Sequence, residues 1–417
     1  MEILKEGQMR IDSLVTTFNS LPENDSTLFD LESAFLELFG GDVITASCDI
    51  RKDSYQEQLD NSEGNTDPPA IPESTIRDLF AIAAQVKKEE SEPVVKRVKT
   101  RSDDAHSRSV YFQVNYDKAD QILRNGIMVD SLRNRFADES VAAVAESLIR
   151  LSSALTAPAS PLSSSVSVDA IVRDLATSAS LSESEVQSCL DVLVDETECG
   201  IKPVERLAGG GMYAVDSLKI MTKIVQAAVA AMIEQKFGGR YARVFRILLA
   251  HKSLPQKVVE ENALMPPKDC KEVIFTLVRE GFVKTNYYSR TVDYAPTKTH
   301  FLFSIDLEQV TRRLMGVCSH AIVSAIKRRN HEYDNNRLLI ERKVHVDQQV
   351  ALLEQQEGAE QQIEDLRATF TPRDLEIVTA AEKAFRKLQL AEIQVEETLF
   401  TLKSWLKLKL TSESIKD

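Results

Sequence analysis

Residues 240–305, RYARVFRILLAHKSLPQKVVEENALMPPKDCKEVIFTLVREGFVKTNYYSRTVDYAPTKTHFLFSI, decide the fold of this 417-residue chain. From Arg240 to His251, Val244, Ile247 and Leu248 fall on one face at helical spacing, with Arg240, Arg243 and Arg246 toward another, so a first helix is predicted. Pro255 follows a short extended link at Leu254, sits where a first helical turn tolerates it, and starts a second helix that runs to about Leu264. Pro266 and Pro267 break the chain and begin a third, in which Val273, Leu277 and Val278 face inward and Gly281 is the stop. Phe282 to Tyr288 and Thr299 to Ile305 are aromatic and β-branched runs separated by a polar, proline-containing tip, which reads as a hairpin. Three helices and a hairpin make a winged helix, a module that lies against duplex nucleic acid or another protein.

Toward the C-terminus, the chain past Asp306 reads as helical to its end, broken once around Glu357 to Pro372. In the last arm Val378, Ala381, Phe385, Leu388, Val395, Leu399, Leu402 and Leu406 follow alternating steps of three and four, with Glu392 the single polar occupant: a coiled-coil seam. The preceding arm offers Val310, Leu314, Val317, Ala321, Leu338, Val346, Val350 and Leu353, interrupted by Lys327, Arg328 and Arg329. Mutual burial of the two stripes in one antiparallel hairpin is expected, because the break is long enough for the arms to fold back.

Toward the N-terminus, Val110 opens a short strand, followed by helices near Lys118 to Asn125, Glu139 to Ser152, Val168 to Ala176 and Ser182 to Thr197. Ser182 is placed as an N-cap, with Glu185 three residues on. Gly209, Gly210 and Gly211 lack the Gly-Lys-Ser/Thr of a phosphate loop and no strong strand precedes them, so a turn or wing tip is the reading. Residues 110–215 thus repeat the helix-and-wing plan. Ile11 to Phe18, Leu28 to Phe39 and an extended Asp42 to Cys48 look like the back half of another such domain. Between them, Arg51 to Arg108 is rich in Ser, Asp, Glu, Asn and Pro and is expected to be disordered apart from one transient helix, Ile76 to Val86. Lys87, Lys88, Lys96, Arg97 and Lys99 form two basic clusters spaced like a bipartite nuclear import signal.

The expected class is therefore mainly α with small β-hairpins, tandem winged helices followed by an antiparallel coiled-coil hairpin. The expected boundaries are a partial winged helix at 1–50, an acidic and basic linker at 51–108, winged helices at 109–216 and 217–305, and the helical hairpin at 306–417.

Composition limits the functional classes. Apolar residues make up 43% of the chain, enough for real cores. The five cysteines (Cys48, Cys189, Cys199, Cys270, Cys318) form no CxxC pair and have no histidine at ligand spacing, which leaves neither a disulfide framework nor a zinc site. The N-terminus has no signal-peptide h-region, and the most apolar helical stretch, Ile220 to Phe237, is interrupted by Lys223, Gln226 and Glu234, so no membrane span is expected. A net charge of −13 argues against a general nucleic-acid coat. Between Lys236 and Lys298, however, twelve Lys or Arg face six Asp or Glu, so positive charge is concentrated on the winged helix described first. Solvated helix faces and a DNA-facing patch account for that balance equally well. No catalytic constellation emerges: the six histidines (His106, His251, His300, His320, His331, His345) lack partner spacing.

GGGMYAVD at 209–216, FGGRYARVFRILL at 237–249, ENALMPPKD at 261–269, DYAPTKTHFLFSID at 293–306 and EIQVEETLFTLKSW at 392–405 together resemble the third-largest subunit of DNA-directed RNA polymerase III, a winged-helix family related in plan to TFIIE alpha. The resemblance covers residues from about 110 to 410 and holds in order as well as content. It implies four winged helices and a coiled coil, of which this chain is expected to lack the first and the start of the second, an N-terminally truncated form. It further implies a non-catalytic nuclear subunit without cofactor or small-molecule substrate. Its implied partners are other polymerase III subunits (two small ones in a trimer, and the clamp of the largest), the initiation factor TFIIIB, and promoter DNA bound without sequence preference. Implied roles are promoter recruitment, initiation and DNA opening at genes for small non-coding RNAs such as tRNA and 5S rRNA. On the winged-helix plan, Lys268, Lys271 and Arg279 of the third helix and Lys284, Arg290 and Lys298 of the hairpin would meet phosphates, although Asp269, Glu272 and Glu280 oppose them. The alternative is a scaffold subunit of proteasome-lid or translation-initiation type, which needs a helical-repeat array where this chain carries a linker and a second winged module.

Overall fold

The computed structural model describes residues 8–9, 11–20, 28–47, 74–81, 111–136, 138–178, 181–196, 199–205, 211–289, 299–354, 360–367 and 369–414. The chain divides into two compact units, Met1–Gly126 and Ile127–Asp417.

The first unit contains β1 (Gln8–Met9), α1 (Ile11–Ser20), α2 (Leu28–Gly40), β2 (Ile44–Ser47), a helix α3 at 74–81, β3 (Tyr111–Val114) and the start of α4 (Tyr116–Arg135). Strand order is β1-β3-β2, antiparallel throughout, with Met9 opposite Phe112 and Ala46 opposite Phe112 from the other side. Two sequence boundaries are corrected here. The strand at 111–114, expected in the next module, pairs with β1 and β2 and closes this sheet. Residues 74–81, overlapping a helix expected from Ile76 to Val86 as only transient within a disordered linker, form a helix packed into this core, with Ile76 and Phe80 buried beside Phe35 and Phe112. Phe35 meets Phe80 and Phe112 edge-on at 5.4 and 5.1 Å, a geometry that adds about 0.5–1.5 kcal/mol per pair to simple burial. The basic clusters at Lys87, Lys88, Lys96, Arg97 and Lys99 lie outside the described residues.

Helix α4, expected to end before Gly126, runs on to Arg135. A mid-helix glycine costs about 1 kcal/mol against alanine. Burial of Met128 and Leu132 beyond it outweighs that cost.

In the second unit, α5 (Glu139–Ala154), β4 (Val166–Ser167), α6 (Val168–Ser178), α7 (Glu183–Asp195), β5 (Ile201–Glu205) and β6 (Met212–Val215) make one winged helix, strand order β4-β6-β5. Ser182 and Glu185 form a reciprocal capping box on α7. The Glu185 carboxyl is held below its ordinary range first by the Ser182 backbone N–H and then by the Ser182 hydroxyl. A long helix, α8 (Ser217–Phe237), capped by the Asp216 side chain, leads into the next module. That module is α9 (Gly239–Ala250), β7 (Leu254–Pro255), α10 (Gln256–Ala263), α11 (Pro267–Arg279), β8 (Lys284–Ser289) and β9 (Thr299–Ser304). Its strand order, β7-β9-β8, is that of the other two sheets. Phe245, Leu248 and Leu277 are buried at its centre, each worth about 1.5–3 kcal/mol. Both winged helices and the root of the hairpin share one continuous core.

The hairpin pairs α12 (Leu307–Glu354) with α14 (Pro372–Ser414). The expected break is itself partly helical: α13 (Glu360–Arg367) packs Ile363 and Leu366 on Val346, Val350 and Phe370. Glu308 meets Lys409 at 2.6 Å, Arg329 meets Glu392 at 2.6 Å and Lys343 meets Glu382 at 2.6 Å, a series that fixes the antiparallel register. The seam predicted for α12 is corrected in its middle, because Val317, Ala321 and Leu338 are exposed, Leu338 at 81%. The buried or half-buried line instead runs Val310, Leu314, Cys318, Ile322, Ala325, Arg329, Glu332, Asn336, Leu339, Lys343, Val346, Val350. Polar side chains occupy its centre, and two of them, Arg329 and Lys343, answer carboxylates on α14. Glu392→Ala is therefore expected to cost about 1–2 kcal/mol, between the exposed and fully buried limits for an ion pair. Urea unfolding checks this, and adding Arg329→Ala should return part of the deficit; simply additive effects would show that the pair contributes nothing.

Candidate nucleic-acid interface

Helix α11 starts where proline at the first helical position is tolerated, Pro267, and ends in a turn at Gly281, whose φ of +74° suits glycine. Its inner face, Cys270, Val273, Ile274 and Leu277, is buried. The 3.6-residue period then forces Lys268, Lys271, Glu272, Phe275 and Arg279 outward, and all five are exposed. Three of the six candidate DNA residues thus share one helix face. A fourth, Lys284, is exposed at the start of β8, and Arg290 and Lys298 lie outside the described residues.

The acids that oppose this surface in the sequence are largely answered in the fold. Asp269 is 3.5 Å from Arg240. Glu280 is surrounded by Lys236 at 3.4 Å, Arg279 at 3.8 Å and Arg313 at 3.9 Å. Arg313 can approach because Gly281 has no side chain: a Cβ there would sit 2.8 Å from its guanidinium. Glu272 is left as the acid on the outward face. Arg240, Lys236 and Arg313 escape a reading of the sequence, because each pairs with an acid on a different element and no local pattern marks them.

Apolar groups are interleaved with the charges. Phe275 is 66% exposed in the middle of the α11 face. On the wing, Tyr287 and Phe301 are opposite each other on one face of the hairpin, and Tyr288 and His300 on the other, with all four exposed. Lysine and arginine on such a surface attract phosphates, but Phe275 offers a base edge only apolar contact and reads no donor–acceptor pattern. The arrangement suits binding without base-specific hydrogen bonding.

Among the described residues, no group of three or more His, Cys, Asp or Glu could hold a metal ion. Burial, and then the Glu260 carboxylate, push the Cys270 thiol up to about 11, and burial raises the Cys189 and Cys318 thiols, so these sulfurs stay protonated near neutral pH. No described helix is long and apolar enough to cross a membrane.

Fold and surface together define a tandem winged-helix protein closed by an antiparallel helical hairpin. Family models match along the chain in order: RNA polymerase III subunit RPC82 at residues 49–224, the POLR3C C-terminal winged-helix domain at 229–305, and the helical hairpin domain of DNA-directed RNA polymerase III subunit RPC3 at 338–401. The chain belongs to this family, the third-largest subunit of DNA-directed RNA polymerase III. Among relatives, DNA-directed RNA polymerase III subunit RPC3 of Homo sapiens is 28% identical over 323 residues, 76% of this chain and 59% of the human protein. The protein of the same name from Danio rerio is 24% identical over 428 residues, 97% of this chain and 78% of the relative. The chain thus spans less than two thirds of the human relative's length.

Proposed function

We propose that this chain acts as a non-catalytic, nuclear subunit of RNA polymerase III that joins two small subunits on the clamp side of the largest. There it aids recruitment to TFIIIB, initiation, and the opening of promoter DNA at genes for small non-coding RNAs. The observation that carries the reading is the succession of three matches to one family over residues 49–401, on a chain whose winged helices and hairpin follow the same order. Contact with promoter duplex is assigned to Lys268, Lys271, Arg279, Lys284, Arg290 and Lys298. It is supported by the shared outward face of the first three and the neutralisation of Asp269 and Glu280.

Assembly is tested by tagging the chain in its own cells and identifying what co-purifies at moderate salt; recovery without large polymerase III subunits would end the proposal. The DNA contact is tested in the assembled enzyme by replacing the six residues with alanine and measuring upstream-duplex binding across a salt series. For every phosphate that a basic side chain no longer neutralises, the slope of log affinity against log salt should become shallower by about 0.9. An unchanged slope would leave the α11 face to a protein.

A further inference from the structure

The arginines that the sequence sets apart on α9 take little part in the contact assigned above, and two of them line a cavity. An open trough of about 580 Å³ lies between the end of α8, the length of α9 and the end of α10. Arg243, Arg246, His251 and Asn262 contribute its polar lining, Ile247 a half-buried apolar wall, and Glu234 its carboxylate. We propose that this trough binds a short acidic peptide of a partner protein, one that carries an aliphatic side chain next to aspartate or glutamate.

Charge supplies the first argument. Arg246 meets Glu234 at 2.8 Å, with both side chains about half exposed. Arg243 donates to the Ala263 carbonyl at 3.3 Å, a neutral acceptor that leaves the cation's charge uncompensated. Two guanidinium forks against one carboxylate leave positive charge in a concave site, and such forks match carboxylate geometry with paired hydrogen bonds. Asn262 adds an amide able to donate or accept.

The mixture of groups selects the ligand. Glu234 in the wall, with Glu260 and Glu261 preceding Asn262 on α10, interrupts the run of positive potential that a phosphate backbone requires. A single ligand carboxylate needs only one free fork, and Arg243, held by a neutral carbonyl and not by an acid, offers it. Ile247 gives a neighbouring aliphatic group a dry contact, and the volume is of the size that takes a few side chains. A peptide with localised charge and an apolar anchor fits all of these features.

The test uses the full chain and a short fluorescent peptide of alternating leucine and glutamate, followed by anisotropy. Arg246→Ala should weaken binding about tenfold, the order expected for one charge-assisted bond. Ala250→Glu, which places a carboxylate on an exposed position of the same lining, should abolish it. A glutamine version of the peptide should bind at least about tenfold more weakly. Arg173→Ala, an exposed arginine on α6, should change nothing. Both trough variants alter exposed side chains, so unchanged circular dichroism and melting will separate a binding defect from a folding defect. Parent-like affinity in Arg246→Ala and Ala250→Glu would overturn the proposal. So would displacement of the peptide by a DNA oligonucleotide whose own binding depends on Arg246, which would make the trough a nucleic-acid contact.

Discussion

Replacing Trp405 with alanine should destabilise the second unit by about 3–5 kcal/mol, the usual range for deleting a buried aromatic side chain. This single tryptophan is 3% exposed near the end of α14, where Leu402, Leu406 and Leu408 are also buried. Its indole Nε1 donates to the Thr222 hydroxyl of α8 at 2.9 Å, and Thr222 in turn donates to the Leu218 carbonyl at 2.6 Å. The indole therefore fills space where the hairpin root meets α8 and also satisfies a half-buried hydroxyl there. Trp405→Phe should keep most of the volume and remove the hydrogen bond, at a cost of about 1–2 kcal/mol. Urea unfolding followed by far-UV circular dichroism is the measurement, since the substitution removes the fluorescent reporter. A change below about 1 kcal/mol in Trp405→Ala, the level of an ordinary surface substitution, would mean that the hairpin root does not depend on this packing.

Gly200→Ala is the second large effect. Gly200 has φ of +68°, and a Cβ there would sit 2.8 Å from Ile220 Cγ1 and 2.9 Å from the Asp216 backbone oxygen. The side chain of Ile220 could turn away, but the Asp216 carbonyl cannot: Asp216 caps α8, and its own N–H donates to the Gly200 carbonyl at 2.8 Å. Left-handed strain of about 1–3 kcal/mol and overpacking of about 1–3 kcal/mol both apply, so a destabilisation of about 2–6 kcal/mol is expected. Gly316→Ala provides the opposite sign. It lies within α12 with nothing within 4 Å of the added Cβ, and should gain about 1 kcal/mol from helix propensity. Thermal melts of the two variants decide the matter; equal shifts would show that the close approach at Gly200 relaxes freely.

The candidate surface is readable in the sequence to the extent that it obeys a helical period. Lys268, Lys271 and Arg279 fall on the outside of α11 because Val273 and Leu277 must fall on the inside, and Phe275 comes outward by the same count. The partners that decide the local charge are not readable. Arg240 reaches Asp269 from α9, Lys236 reaches Glu280 from α8, and Arg313 reaches it from α12. No spacing rule links residues on separate elements. The seam of α12 is a similar case: exposed Leu338 is apolar enough to belong, whereas half-buried Arg329 and Lys343 owe their places to Glu392 and Glu382 across the hairpin.

The sequence by itself determined the helices and hairpin of residues 240–305 and the start of α7, because proline positions, the Gly281 stop, the cap at Ser182 and side-chain period all act within a few residues. It also carried the family, in motifs that keep their order from 209 to 405. Tertiary structure alone decided that β3 belongs with β1 and β2, and that α3 packs into their core. The cost of closing a loop grows only with the logarithm of its length, so the stretch from 48 to 110 can separate two paired strands without leaving a local mark of the pairing. The continuation of α4 through Gly126 was decided in the same way, since burial of Met128 and Leu132 exceeds a propensity penalty that local reading can see but cannot weigh against a core not yet assembled.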